Sequence, residues 1–477
     1  MLFLYCALLF YLIACILLRL TYSRRNFPTV IVLTLLVVVQ LAMKMFDRYY
    51  LPSYSLRAGD ELGWLERMSE YQKSGVIPYE RIPGAQPFTE GPGIFYAVNF
   101  FAHILQVDYV SALVILALVF GTLYVLPAFR LYSELSHEPQ VALSAAILVS
   151  MSDVMIYSTS IARPTLLGLF LFPLAMVTLQ SLYLRFRWHL CLILLAISGL
   201  IIVVHTTITS LVLLLVVSST LVWYDRLKKW HVAYCVTLFV LCGIAVSFML
   251  PDLNILFRDE LFSIHPLNEI ATALNFNYPL LFALLGSLVM CIAFLFGKVR
   301  CSLLRAANHL HSSSQRFLVL FVVILAGFLS LAGVLFFKNY PTYIGAAYSS
   351  LTDFILLQIW KVPLAILAIL GMWQVLRSEQ RFCVAIPWFV GILICVSIMT
   401  LYWPYRTSSG LWNIDERIGE FLYYPAFYFV AVKLKSVSSL VTSRVFNWII
   451  IPLICLFIIP SFIIGVHDTA FIQQYYP

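Results

Sequence analysis

Apolar runs of 16 to 22 residues, broken by short polar segments, recur along the whole chain. Crossing a hydrocarbon core of roughly 30 Å takes about 20 mostly apolar residues in helical form. Fourteen runs meet that pattern: 1–18, 28–46, 110–129, 141–158, 165–183, 189–204, 206–223, 232–250, 279–297, 317–337, 354–375, 382–402, 418–434 and 447–466. The first run lacks a basic leader and a small-residue cleavage site, so it reads as a retained span. The stretch 92–106 is apolar but as a helix covers only about 22 Å. Residues 59–73, GDELGWLERMSEYQK, show helical periodicity instead. Trp64, Leu65, Met68 and Tyr71 fall on one face, with Glu66, Arg67, Glu70 and Lys73 on the other, as in a helix at a membrane interface.

Charge settles the sidedness. Lys and Arg collect in cytoplasmic loops. With 92–106 left outside the membrane, the inner segments hold 18 of the 30 basic residues and only 4 of the 22 acids. Counting that stretch as a span would turn most basic loops outward. Both termini are then expected outside, with long outer loops at 47–109, 251–278, 338–353 and 403–417 and the largest inner loop at 298–316. The whole chain, 1–477, reads as a single integral-membrane domain.

Composition agrees: 62% of the 477 residues are hydrophobic and 11% charged, against about 25% charged in soluble domains. A soluble enzyme, a disordered chain and a disulfide-stapled secreted domain are excluded. The net charge of +8 is spent on topology, so no nucleic-acid partner follows from it. The ten cysteines include no CxxC pair and sit mostly in apolar runs, as small buried hydrophobes. No phosphate-loop, zinc-helix or dinucleotide motif occurs.

Chemistry concentrates in the outer segments. Asp60 stands at the expected N-cap of the amphipathic helix, with Glu61 beside it; both also fit plain capping and helix-dipole roles. Arg163 precedes Pro164 at the start of a span and can also snorkel to headgroups. His205 lies at an outer turn, where an interfacial or hydrogen-bonded histidine is the first reading and a catalytic one the second. Arg406, Asp415, Glu416, Arg417 and Glu420 crowd the last large outer loop, where Arg417 can simply pair with Glu420. Asp252, Asp259, Glu260, His265 and Glu269 form an acidic outer segment that reads as solvated. Ionisable groups at membrane depth are costly and tend to be functional or paired.

The order of these features resembles the GT-C superfamily of integral-membrane glycosyltransferases. The resemblance is carried by GDE at 59–61, WLERMSEYQKSGVIP at 64–78 and PGIFYAVNFFAHILQVDYVSALVILA at 92–117. In that superfamily the first outer loop bears an acidic catalytic residue, followed by two jaw-like helices on the membrane surface. Two spans precede the acidic loop here, where many members have one, and the oligosaccharyltransferase WWD motif is absent. The resemblance implies an all-α polytopic helix bundle with two interfacial helices. It also implies transfer of a sugar from a polyprenyl-phosphate-linked donor to an acceptor at the outer face, in the plasma membrane among its lipids. Asp60 would be the general base, and Glu61 would assist or help hold a divalent cation. Arg417, with Arg163, Arg406 and His205, would hold the donor phosphate. A lipid-linked-glycan polymerase or ligase, a flippase or transporter, and a structural membrane component are the competing readings.

The topology has a direct check. Single cysteines placed in 185–188 and 298–316 of a cysteine-free chain are expected to label only from the inner side; labelling from outside would reverse the assignment.

Overall fold

The computed structural model of the chain describes residues 2–22, 29–49, 58–77, 92–160, 162, 164–205, 208–223, 229–249, 361–378, 383–402 and 418–457. These residues are helical throughout, and no strand occurs among them. In chain order the helices are α1 Leu2–Tyr22, α2 Thr29–Tyr49, α3 Ala58–Ser74, α4 Gly93–Leu105, α5 Tyr109–Leu123, α6 Val125–Ser136, α7 Pro139–Ser150, α8 Asp153–Ser160, α9 Pro164–Leu184, α10 Trp188–Val204, α11 Ile208–Trp223, α12 Lys229–Met249, α13 Val362–Arg377, α14 Ala385–Tyr402, α15 Tyr423–Leu440 and α16 Ser443–Phe457. The expected spans 279–297 and 317–337 and the loops 251–278, 298–316, 338–353 and 403–417 lie outside the described residues.

The bundle is apolar outside as well as inside. Leu8, Leu12 and Ile16 on α1, Leu192 and Leu200 on α10, Ile366 and Leu370 on α13, and Trp448 and Leu453 on α16 are all exposed. Such stripes would be an aggregation liability in water; in a membrane they face lipid. Among the described residues, the helical stretches Tyr109–Ser136 and Pro164–Leu184 are long and apolar enough to cross. The seven described cysteines are free thiols, five of them buried and Cys191 and Cys395 half-buried.

The helices outrun the apolar runs in places. The run expected to end at 129 stays helical to Ser136, because Arg130 and Glu134 form an i,i+4 ion pair at 3.4 Å on the exposed face. Tyr124 marks a break between α5 and α6: Pro127 has no N–H for the Leu123 carbonyl, and its ring crowds that carbonyl. The run 141–158 is likewise split at Met151–Ser152 into α7 and α8.

Prolines also explain the tyrosines in the core. Pro173 sits inside α9, so the carbonyl of Leu169 loses its helical donor. The Tyr424 hydroxyl of α15 donates to that carbonyl at 2.8 Å. Pro139 opens α7, so the Leu135 carbonyl at the end of α6 lacks its donor too, and the Tyr428 hydroxyl donates there at 3.3 Å. Tyr132 returns the contact to the Tyr424 carbonyl at 3.1 Å. Gln180 on α9 accepts from the backbone N–H of Val384 at 3.0 Å, satisfying one orphan donor at the start of α14. These bonds knit α6, α7, α9, α14 and α15 around a core of Phe172, Trp388 and Phe421. α13 closes onto α15 at Gly371, where even a Cβ would lie 1.8 Å from the Phe429 carbonyl oxygen, a small-residue crossing of the kind membrane helices use.

Tyr424→Phe should lower the stability of the purified protein by about 1–3 kcal/mol, because a buried carbonyl is left unpaired. In a Pro173→Ala background the same change should cost less, since residue 173 then supplies the N–H. Thermal unfolding of the four proteins in one detergent reads this; equal costs in both backgrounds would refute the pairing.

Candidate active site

One end of the bundle carries a second apolar cluster, formed by α3, α4, the first half of α5 and the α8–α9 turn. Its platform is the helix pair α5–α6. At about 1.5 Å per residue its 28 residues reach about 42 Å, beyond a hydrocarbon core of roughly 30 Å. The first half of α5 gives α3 and α4 a surface on which to pack. The amphipathic face read from the sequence is the one used: Trp64, Leu65, Met68 and Tyr71 are buried, while Glu66, Glu70 and Lys73 are exposed. Trp64 and Tyr71 contact Phe95 of α4 with ring centroids 5.8 and 5.3 Å apart. Tyr71 stacks on Tyr109 of α5 at 5.5 Å, and the Tyr109 hydroxyl donates to Asn99 Oδ1 at 2.7 Å. Burial, with Tyr109 and Tyr96 adding to it, raises the Tyr71 hydroxyl above its ordinary pKa.

α4 does not cross the bundle. It is a 13-residue helix, Gly93–Leu105, and its first residue lies against the last turn of α10. A Cβ at Gly93 would stand 2.9 Å from Val204 Cα, so only glycine permits that approach.

The acidic pair lies on this platform. α3 begins at Ala58, two residues earlier than the expected cap at Asp60. Asp60 and Glu61 therefore occupy its first turn, where carboxylates favour the helix dipole. The missed start follows from Ala58, a strong helix former that lengthens the helix beyond the capping signal at Asp60.

Of the expected cations, Arg163, Arg406 and Arg417 lie outside the described residues, as do Asp415 and Glu416. Their neighbours, however, are placed. Ala162 is buried in the cluster that holds Trp64 and Phe95, and Pro164 opens α9. Ile418, which follows Arg417, is buried and precedes Tyr424, whose contact at Leu169 lies near the start of α9. Ala162 and the first turn of α9 thus share one cluster with α3, while Ile418 belongs to the main core.

His205 is buried at the turn between α10 and α11. Its Nδ1 and the Thr209 hydroxyl are 2.5 Å apart, and its Nε2 and the Thr165 hydroxyl 3.4 Å. The ring thereby ties the first turn of α9 to the first turn of α11. Among the described residues no group of three His, Cys, Asp or Glu side chains converges as a metal site.

Sequence reasoning missed Lys44. It lies within the run 28–46, yet its ammonium is buried and donates to Thr159 Oγ1 at 2.6 Å and Ser160 Oγ at 3.5 Å. A lone lysine inside an expected span was the available signal.

Solved structures of the same architecture exist. The Archaeoglobus fulgidus oligosaccharyltransferase tethered to an acceptor peptide containing the NVT sequon superposes with a TM-score of 0.54 at 15% identity, covering 94% of this chain and 55% of that one. The oligosaccharyltransferase AglB from Archaeoglobus fulgidus, in complex with an inhibitory peptide and a dolichol-phosphate, gives a TM-score of 0.52 at 13% identity, covering 92% of this chain and 56% of that one. The chain thus spans little more than half the length of these proteins. No protein-family model and no curated protein sequence matches the chain. At these identities the likeness is one of fold.

The platform can be probed through its cap. Asp108 precedes α5 and accepts from the Ser111 N–H at 2.5 Å. The Ser111 side chain and amide together hold its carboxyl below the ordinary value of 3.8. A lowered carboxyl stabilises the fold above its unfolded pKa, and this share is lost as pH falls below about 4 and through the lowered value. Asp108→Ala should cost about 0.5–2 kcal/mol locally and Asp108→Asn much less. Hydrogen exchange at the first turns of α5 should show this, with the difference between Asp108 and Asp108→Ala shrinking in acid; a difference that persists unchanged below pH 3 would argue against the ionised cap.

Proposed function

We propose that the chain is a GT-C-type glycosyltransferase that moves a sugar from a polyprenyl-phosphate-linked donor to an acceptor at the outer face of the membrane. The observation that carries this reading is the position of Asp60 and Glu61. They open a helix that packs in one apolar cluster with Ala162 and the start of α9. The bundle has the GT-C fold, and an A. fulgidus protein of that fold holds a dolichol-phosphate.

In an inverting displacement Asp60 takes the proton of the acceptor hydroxyl as that oxygen forms its bond to the anomeric carbon. The bond from the anomeric carbon to the donor phosphate breaks, and its electron pair leaves with the phosphate. Arg417, with Arg163 and Arg406, stabilises the charge that develops there. Phosphate is a good leaving group, so no general acid is required. Glu61 assists as a second carboxylate and, where a divalent cation binds, is its ligand. His205, held between Thr165 and Thr209, fixes the helix starts beneath the site. α3 lies at the membrane interface, as its apolar and charged faces favour, with α4 packed beside it.

Asp60→Asn is the discriminating variant, because Asn caps or opens a helix about as well as Asp but cannot accept the proton. Its rate of sugar transfer from a polyprenyl-phosphate donor is expected to fall by about 10²–10⁴ at unchanged thermal stability. Arg417→Gln should slow turnover and weaken donor affinity together. Full activity in Asp60→Asn would hand the base to Glu61 or remove the enzymatic reading.

A further inference from the structure

We propose that the end of α1 and the start of α16 form a binding site for one anionic glycerophospholipid. Arg19 and Arg444 hold its phosphate beside Trp448, at the end of the bundle away from α3. The site does not depend on the sugar-transfer reading.

A proline again sets the geometry. Phe446–Ile450 form one π-helical turn, in which the Ile451 N–H donates to the Phe446 carbonyl. Pro452 has no N–H. The Asn447 carbonyl is therefore left without a helical donor, and Arg19 Nε donates to it at 2.9 Å. The guanidinium carbon of Arg19 also stands 4.1 Å from the centre of the Trp448 ring. An arginine at a lipid-facing helix end ordinarily snorkels; this one is fixed along its Nε edge and on one face. Its two terminal nitrogens make no hydrogen bond among the described residues. They form a pre-set fork of the kind that grips a phosphate.

The surroundings fit an anion with a hydrocarbon tail. Arg444 stands one turn before Trp448, is exposed, and has no ion-pair partner among the described residues. The sequence holds no Asp or Glu from 1 to 46 or from 421 to 467, so neither α1 nor α16 supplies a counter-ion. The described acids nearest the start of α7 in the chain, Glu134 and Glu138, belong to α6 and the turn after it, and Glu134 already pairs with Arg130. Apolar stripes lead away from the cations. Leu12 and Ile16 precede Arg19 on one face of α1, and Ile449 and Leu453 follow Trp448 on α16; all four are exposed. Basic pockets between membrane helices bind phospholipid headgroups in this way, and tryptophan favours the headgroup level.

Position selects a phospholipid over the polyprenyl phosphate proposed as donor. Leu166 and Leu167 at the start of α9 pack in the cluster with α3. Ser181, about 21 Å further along α9, donates to Glu134 Oε1 of α6 at 3.1 Å. α7 begins just beyond α6, and its Gln140 accepts from Lys435 of α15. α15 ends at Leu440 and α16 starts at Ser443. Arg444, and Arg19 with it, therefore lies toward the far end of α9 from the α3 cluster.

The test is native mass spectrometry of the purified full-length chain with three probes: dioleoyl phosphatidylglycerol, zwitterionic dioleoyl phosphatidylcholine and undecaprenyl phosphate. Wild type should retain one phosphatidylglycerol in preference to either of the others. Arg444→Gln, which removes an exposed charge without a partner, should weaken phosphatidylglycerol binding about fivefold in a folded protein. Arg19→Gln should weaken it further, since the fork is lost with the charge, and Trp448→Leu should weaken it while keeping the surface apolar. Arg187→Gln, an exposed arginine on the turn before α10, should leave it unchanged. Equal retention of phosphatidylglycerol and phosphatidylcholine by wild type would overturn the inference. So would a loss in Arg187→Gln as large as in Arg444→Gln, which indicates a diffuse basic surface. Tighter binding of undecaprenyl phosphate that is lost in Arg19→Gln and Arg444→Gln would give the site to the carrier lipid and refute the phospholipid assignment.

Discussion

In hydrocarbon a peptide group finds no water, so each N–H and C=O must be paired within the protein. This constraint organises the chain. It makes every described segment helical, and it makes each break in a helix a matter of finding a substitute partner. Pro173 and Pro139 deprive Leu169 and Leu135 of donors, and Tyr424 and Tyr428 supply them from α15. The hydroxyl is one of the few groups that can reach a carbonyl in an apolar core without carrying charge. The prolines thereby dictate where α15 must lie.

α3, α4 and the first half of α5 pack together apart from the main core. Trp64, Met68, Tyr71 and Phe95 form their own cluster, each large side chain contributing about 1.5–3 kcal/mol on burial. This cluster holds the first turn of α3, and so Asp60 and Glu61, against a rigid support.

Much of this was legible in the chain. Most apolar runs among the described residues coincide with helices, and the stretch 92–106 holds the short helix Gly93–Leu105. The buried face of α3 contains the four residues that helical periodicity selected. The start of α3 and the end of α6 were misplaced for local reasons, a helix-forming Ala58 and an Arg130–Glu134 pair, that an apolar count does not weigh. Lys44 escaped because hydropathy averages it into nineteen residues that are mostly apolar. His205 carried two readings in the sequence, and its threonine partners, 4 and 40 positions away, favour the structural one.

By itself the sequence determined the helical class, the membrane setting, the order of the elements and the acidic opening of the amphipathic helix, because these depend on period, length and local charge. Tertiary structure decided which helices meet, which tyrosine answers which proline, and that α8 ends on the ammonium of Lys44. Those pairings join residues from about 110 to nearly 300 positions apart. Their energy arises only when two distant backbones approach within hydrogen-bonding distance, which no local pattern encodes.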